Sequence, residues 1–228
     1  MMSRAAAVLT TIVIALASST AFAQSDKLIY DGPKPPTITT LTIVPLGGAM
    51  PPELDGIEAF LGDRFPGLTV RLRPVRPLPA RAYDSERQQV MWERLEPTLD
   101  RAAGTIFVVA HDFSTYNTNF WYAWHEIETG RAVASVSRMR NLDGRATPAT
   151  EVPTGEALDL SRYRFRNQLV SSSAKLLGLT FPCHTPVCVL RRPVRIREID
   201  LKSQALCAEH QAEYAKIAKA RGIAKSAH

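Results

Sequence analysis

Cysteine is scarce in this chain, with three in 228 residues. An odd number leaves one thiol over in any disulfide framework, whereas a metal site that takes a histidine as fourth ligand leaves none. Long apolar runs are lacking too. Beyond the N-terminal stretch, no segment approaches the ~20 apolar residues that a helix needs to cross a bilayer, which argues against a helical membrane domain. There is no internal repeat and no low-complexity segment, so a solenoid or array is excluded. Positive charge is not gathered either: the formal +6 is spread along the chain. The one local concentration is Arg191-Arg192-x-x-Arg195-x-Arg197. A solvated loop face is its simplest reading, and it points away from nucleic acid while allowing loose attraction to an anionic envelope surface.

What is present begins with an export signal. Arg4 supplies a positive start, Ala5 to Ala17 is apolar apart from Thr10 and Thr11, and Ala21-Phe22-Ala23 is a small-x-small cleavage site before Gln24. Residues 1–23 are therefore expected to be a signal peptide, making the mature protein periplasmic or secreted. Residues 24–37 carry Gly32, Pro33, Pro35 and Pro36, as suits an extended leader. Residues 38–228 are long enough for one domain with a sizeable core.

Within that domain the β-branched run Ile38 to Val44 predicts a strand ended by Pro45, and Leu68 to Arg73 predicts a second by its alternation. Leu54, Ile57, Phe60 and Leu61 at helical spacing predict a helix over 52–65. After a proline-rich loop over 74–82, Met91, Trp92, Leu95 and Leu99 predict a long helix over 83–102, kinked or cut short at Pro97. Thr105 to Ala110 is short and mostly apolar, the mark of a strand buried on both faces. Residues 120–128 and 131–137 flank Thr129-Gly130 as a hairpin. A polar loop over 140–160 leads into an amphipathic helix over 161–177 stopped by Gly178, and 204–220 reads as a closing helix. Strand, helix, strand, helix, buried strand implies an α/β class with a mixed, mostly parallel sheet.

The chemistry-bearing residues lie late in the chain. Cys183-x4-Cys188 and Cys207-x2-His210 are two close pairs of soft ligands with the spacing of a closed Cys3His structural zinc site. The alternative is a Cys183–Cys188 disulfide with Cys207 free, favoured by an oxidising compartment. Four protein ligands leave no open position, so such a zinc would staple rather than catalyse. His125-Glu126-Ile127-Glu128-Thr129 begins like HExxH, but Thr129 stands where the second histidine belongs and the segment reads as a strand. Ser172-x-x-Lys175 matches the S-x-x-K of serine acyl-enzymes without any partner motif. His111-Asp112 could border a cleft or be a satisfied polar pair at the sheet edge. Tyr116, Phe120, Trp121, Tyr122 and Trp124 form an aromatic cluster, read as core packing rather than the wall of a groove.

Taken together, the order of features over roughly residues 38–216 resembles the archaemetzincins, a family of zinc metallopeptidases. Leu177-Gly178-Leu179 matches the glycine of the family's HExxHxxGxxHC segment, and Cys183-x4-Cys188 matches its first cysteine pair. Asp200-x-Lys202 followed by Leu206-Cys207-Ala208-Glu209-His210 falls on the family's DxKxxxFCxxC, with histidine as last ligand. His111-Asp112-Phe113 and Asn119-Phe120 resemble the central strand and the segment after it. The catalytic part departs from the pattern. Aligned on Gly178, the family's His, Glu, His and His positions hold Ser171, Ser172, Lys175 and Phe181; aligned on Cys183 they hold Ser172, Ser173, Leu176 and Pro182. Leu190 stands at the methionine of the Met-turn. A metzincin needs two histidines one helical turn apart, a third brought round by the glycine turn, and a glutamate to deprotonate the metal-bound water. No register recovers one of them. The resemblance thus implies a metzincin-like domain keeping one structural zinc but no catalytic zinc, a pseudopeptidase binding a peptide or protein of the cell envelope. Its rivals are an active zinc-dependent metallopeptidase and a purely structural envelope protein.

Overall fold

The computed structural model describes residues 35–193 and 195–223. The expected signal peptide over 1–23 and residues 24–34 of the leader lie outside the described residues.

The main sheet has five strands: β1 (Thr40–Leu46), β2 (Thr69–Leu72), β5 (Thr105–Val109), β7 (Ala123–Glu126) and β8 (Arg131–Ser135), in the order β2-β1-β5-β8-β7. All neighbours are parallel except β7, which pairs antiparallel with β8 through the expected hairpin. β5 is buried at every residue, as its unbroken apolar run implies. Its side chains divide between two cores. Ile106 and Val108 join Leu41, Ile43, Ala132 and Ala134 on one face, while Phe107 and Val109 join Val44, Leu46 and Val133 on the other.

The first face is covered by α1 (Ile57–Arg64) and α3 (Gly155–Leu176). The second is covered by a small sheet of β3 (Tyr83–Asp84), β4 (Gln89–Met91) and β6 (Asp112–Ser114), together with the single turn α2 (Trp92–Leu95). Two short helices, α4 (Ile196–Asp200) and α5 (Ala208–Ala220), close the chain against the α3 side.

Three expectations are corrected here. The long helix over 83–102 does not exist. Gln88 adopts a positive φ of 56°, and β4 is drawn into a parallel ladder with β6. Only α2 and a 3-10 turn at Glu96–Thr98, which carries Pro97, remain helical. A three-residue strand is too short to show alternation, so tertiary pairing overrode the helical spacing. The helix over 52–65 is split: Pro52–Leu54 is a 3-10 turn, and α1 starts only after Gly56 at φ 68°. Finally, Pro45 lies inside β1. Ile43 and Pro45 both turn their carbonyls toward the β2 side, to Arg73 and Arg76, so the missing N–H of Pro45 falls where β2 has already ended.

α3 starts at Gly155, six residues earlier than its apolar stripe indicates, and Gly178 ends it at φ 85° with Leu179 N–H returning to the Ala174 carbonyl. A second glycine sets the β1–β5 contact. Gly104 has φ 78°, and a Cβ there would sit 2.3 Å from the Thr40 carbonyl oxygen and 2.9 Å from Ile38 Cγ2. Replacing Gly104 with alanine is expected to cost about 2–4 kcal/mol, from left-handed strain and overpacking together. A urea midpoint equal to that of the parent would contradict this.

Candidate functional site

The loop after α3 and the start of α5 bring four side chains to one point. The Sγ atoms of Cys183, Cys188 and Cys207 and a ring nitrogen of His210 all lie within 4.8 Å of one another. Cys183 and Cys207 sulfurs are 3.8 Å apart, and His210 Nδ1 stands 3.0 Å from Cys207 and 3.8 Å from Cys188. Around tetrahedral zinc, bond lengths of ~2.3 Å to sulfur and ~2.05 Å to nitrogen give S···S edges near ~3.8 Å and S···N edges near ~3.5 Å. A disulfide would need ~2.05 Å between sulfurs. The donor set and its spacing therefore fit a Cys3His zinc.

Local structure sets that geometry. Cys183 N–H bonds the Leu190 carbonyl and Cys188 N–H bonds the Thr185 carbonyl, so the first pair sits on a closed turn. Cys207 is the N-cap residue of α5, which places its sulfur at the positive end of that helix. His210, one turn on, directs Nε2 to the Thr180 carbonyl at 2.8 Å, which leaves Nδ1 to face the sulfurs as an acceptor. Without a cation, burial opposes a thiolate at Cys207, but hydrogen bonds donated by a protonated His210 ring and by the His210 backbone N–H, with those from Cys188 and Cys183, outweigh it, bringing the thiol down to about 6. Burial pushes Cys188 the other way, up to about 11. A dication is what would hold all three as thiolates together.

The Asp200-x-Lys202 pair has a mechanical role. Asp200 accepts two hydrogen bonds from Arg164 of α3, at 2.6 and 2.7 Å, fixing α4 to that helix. Lys202 donates to the carbonyls of Val189 and Arg191, clamping the cysteine loop from within.

Beside the Cys3His corner lies a cavity of about 740 Å³, bounded by β7, α3 and the cysteine loop. Of the residues that the resemblance aligns with the family's His, Glu, His and His, Ser171, Lys175 and Phe181 line it. Lys175 Nζ lies 4.5 Å from the Phe181 ring centroid. Burial, followed by the nearby charges of Lys202 and Arg192, lowers the Lys175 ammonium to about 8. Ser172 is fully buried behind the wall, its hydroxyl 2.9 Å from His125 Nε2 and accepting from Gln168. Burial, then the Lys175 charge, holds His125 well below its usual value and hence neutral. In the other register, Ser173 bonds the Leu169 carbonyl, Leu176 is core, and only Pro182 reaches the cavity. Leu190, at the Met-turn position, also lines it.

The remaining constellations resolve plainly. His125 lies on β7, and Thr129 follows in the hairpin turn, so the HExxH-like run offers no second ligand on its face. Ser172-x-x-Lys175 gives Ser172 no access to the cavity. Asp112 is buried and saturated by Gln89 and a bidentate Arg138, whereas His111 Nδ1 is buried with no hydrogen-bond partner among the described residues, so only the aspartate half of the expected polar pair is satisfied. Trp121 and Trp124 meet edge-to-face, pack against the second core and also wall the cavity with Tyr122, while Tyr116 is exposed. The cluster is thus core and wall at once. The His125–Ser172 contact joins residues 47 apart in sequence and had no local signal.

An α/β layer of this topology is the fold of solved archaemetzincins. The archaemetzincin of Archaeoglobus fulgidus, solved with malonate, superposes with a TM-score of 0.62 at 22% identity, covering 76% of this chain and 99% of that one. The archaemetzincin of Methanopyrus kandleri gives 0.62 at 19% identity over 80% and 97%. A zinc-dependent peptidase of Methanocorpusculum labreanum gives 0.58 at 16% identity over 76% and 99%. No family model and no curated protein matches the chain at the sequence level.

Proposed function

We propose that this chain is an exported, degenerate archaemetzincin that keeps a structural zinc at Cys183, Cys188, Cys207 and His210, has lost the catalytic one, and binds a peptide in the cavity beside it. One observation carries the reading. Among the described residues, the only group of three or more metal-competent side chains is the Cys3His cluster, and the cavity next to it presents Ser171, Lys175 and Phe181 instead. An ammonium at the metal position repels a dication, and serine hydroxyls bind zinc poorly. The zinc would tie the cysteine loop to α5, with all four positions filled by protein. Peptide binding is supported by β7: among the described residues it ends the main sheet with no strand on its outer side, and it runs along the cavity, where an extended chain could pair with it.

The test is the zinc content and free-thiol count of the purified mature protein, with an assay on a mixed peptide library. The expected result is one zinc per chain and no cleavage. Two zincs with chelator-sensitive hydrolysis would establish the active metallopeptidase instead, and no zinc with one free thiol would leave the disulfide. Export is checked by fractionation, where a cytoplasmic, full-length chain would contradict it.

A further inference from the structure

Peptide binding leaves open what the peptide must carry. Lys175 projects from α3 into a cavity walled by Trp121, Trp124, Pro182, Leu190 and Ile199, and its one close partner is the face of Phe181. No hydrogen bond or ion pair holds its ammonium among the described residues. The charges acting on it are Lys202 and Arg192, and the ring facing it, His125, is neutral. Two carboxylates line the same cavity, but Glu126 is bound to Arg131 and Thr129, and neither Glu126 nor Glu128 acts on Lys175. A cation set among apolar walls without a counter-ion is costly unless something anionic meets it. One turn earlier on the same face, Ser171 lines the cavity with a hydroxyl that has no partner among the described residues.

We propose that the cavity selects ligands by a free carboxylate, received by the Lys175 ammonium and the Ser171 hydroxyl, with an apolar side chain lodged against the aromatic wall: the C-terminal residue of a peptide. This rests on the peptide-binding reading and sharpens it. The fixed ammonium takes the place of a metal ion as the cation of the site. Lys202 adds positive potential, with two of its three N–H donors committed to the carbonyls of Val189 and Arg191. The apolar walls favour an organic carboxylate over a small inorganic anion, which would leave them wet.

The experiment uses the zinc-loaded mature chain and fluorescence anisotropy at pH 7. The probes are a fluorescein-labelled alanine peptide ending in leucine as the free acid and the same peptide as its C-terminal amide, with inorganic phosphate as competitor. The expected result is at least tenfold tighter binding of the acid, the scale of one charge-assisted hydrogen bond. Lys175→Met should erase the difference while leaving amide binding, and Lys175→Arg should retain most of it. Equal binding of acid and amide by the parent protein overturns the carboxylate selection and leaves the peptide reading standing. Binding of neither overturns both. Displacement by millimolar phosphate would make this a general anion site and overturn the apolar carboxylate class.

Discussion

Stripping zinc from the mature protein, or replacing Cys207 with alanine, is expected to cost roughly 4 kcal/mol or more, which for a domain of this size lowers the melting temperature by about 10 °C. The corner joins three segments: the turn holding Cys183 and Cys188, the N-terminus of α5, and Thr180 beyond α3 through His210. α5 is not peripheral. Tyr214 packs edge-to-face on Phe65 with ring centroids 5.3 Å apart and bonds the Pro66 carbonyl, and Ala218 is buried in the first core. Loosening its first turn therefore frays that core. The loss should also follow pH. The thiol of Cys188 is pushed up to about 11 by burial when no cation is present, so zinc must displace its proton. Affinity falls as pH falls, and stability below about pH 6 should drop toward that of the stripped protein. Calorimetry with and without chelator checks this; identical melting curves for the loaded, stripped and Cys207→Ala forms would overturn the structural zinc.

The second large effect is expected at Glu53. Its side chain is fully buried, and it accepts from Arg140 at 2.7 and 3.1 Å and from Ser161 at 2.9 Å. Arg140 further donates to the carbonyls of Ala149 and Glu151, so one guanidinium organises the loop between the 3-10 turn Ser137–Arg140 and α3. Glu53→Ala strands that cation in the interior and should cost about 3–5 kcal/mol in urea denaturation. The double change Glu53→Leu with Arg140→Met should recover much of this, because removing both charges removes the desolvation penalty with them. The recovery should be incomplete, since the two loop carbonyls lose their donor. A single variant within experimental error of the parent would mean that the pair is solvated in solution.

What the sequence by itself determined were the features whose cause is local or whose pattern is dense. β5 was legible because both its faces are buried, giving an unbroken apolar run. The β7–β8 hairpin announced itself at Thr129-Gly130, and Gly178 marked the end of α3 because only glycine takes its φ of 85° cheaply. The four side chains that the fold gathers within 4.8 Å were readable as two candidate pairs because each is close in sequence, Cys183 with Cys188 and Cys207 with His210. The tertiary structure alone decided the rest. The segment 83–102 had helical spacing, yet β4 pairs with β6 across more than twenty residues, and that ladder outweighs a weak local propensity. Glu53 finds Arg140 at a separation of 87 residues, and His125 finds Ser172 at 47. In the sequence Lys175 falls at a degenerate ligand position, but only β7 and the cysteine loop, closing a largely apolar cavity around it, decide its surroundings. A side chain's type is written locally, but its solvation, and hence its chemistry, is set by whatever distant segments fold against it.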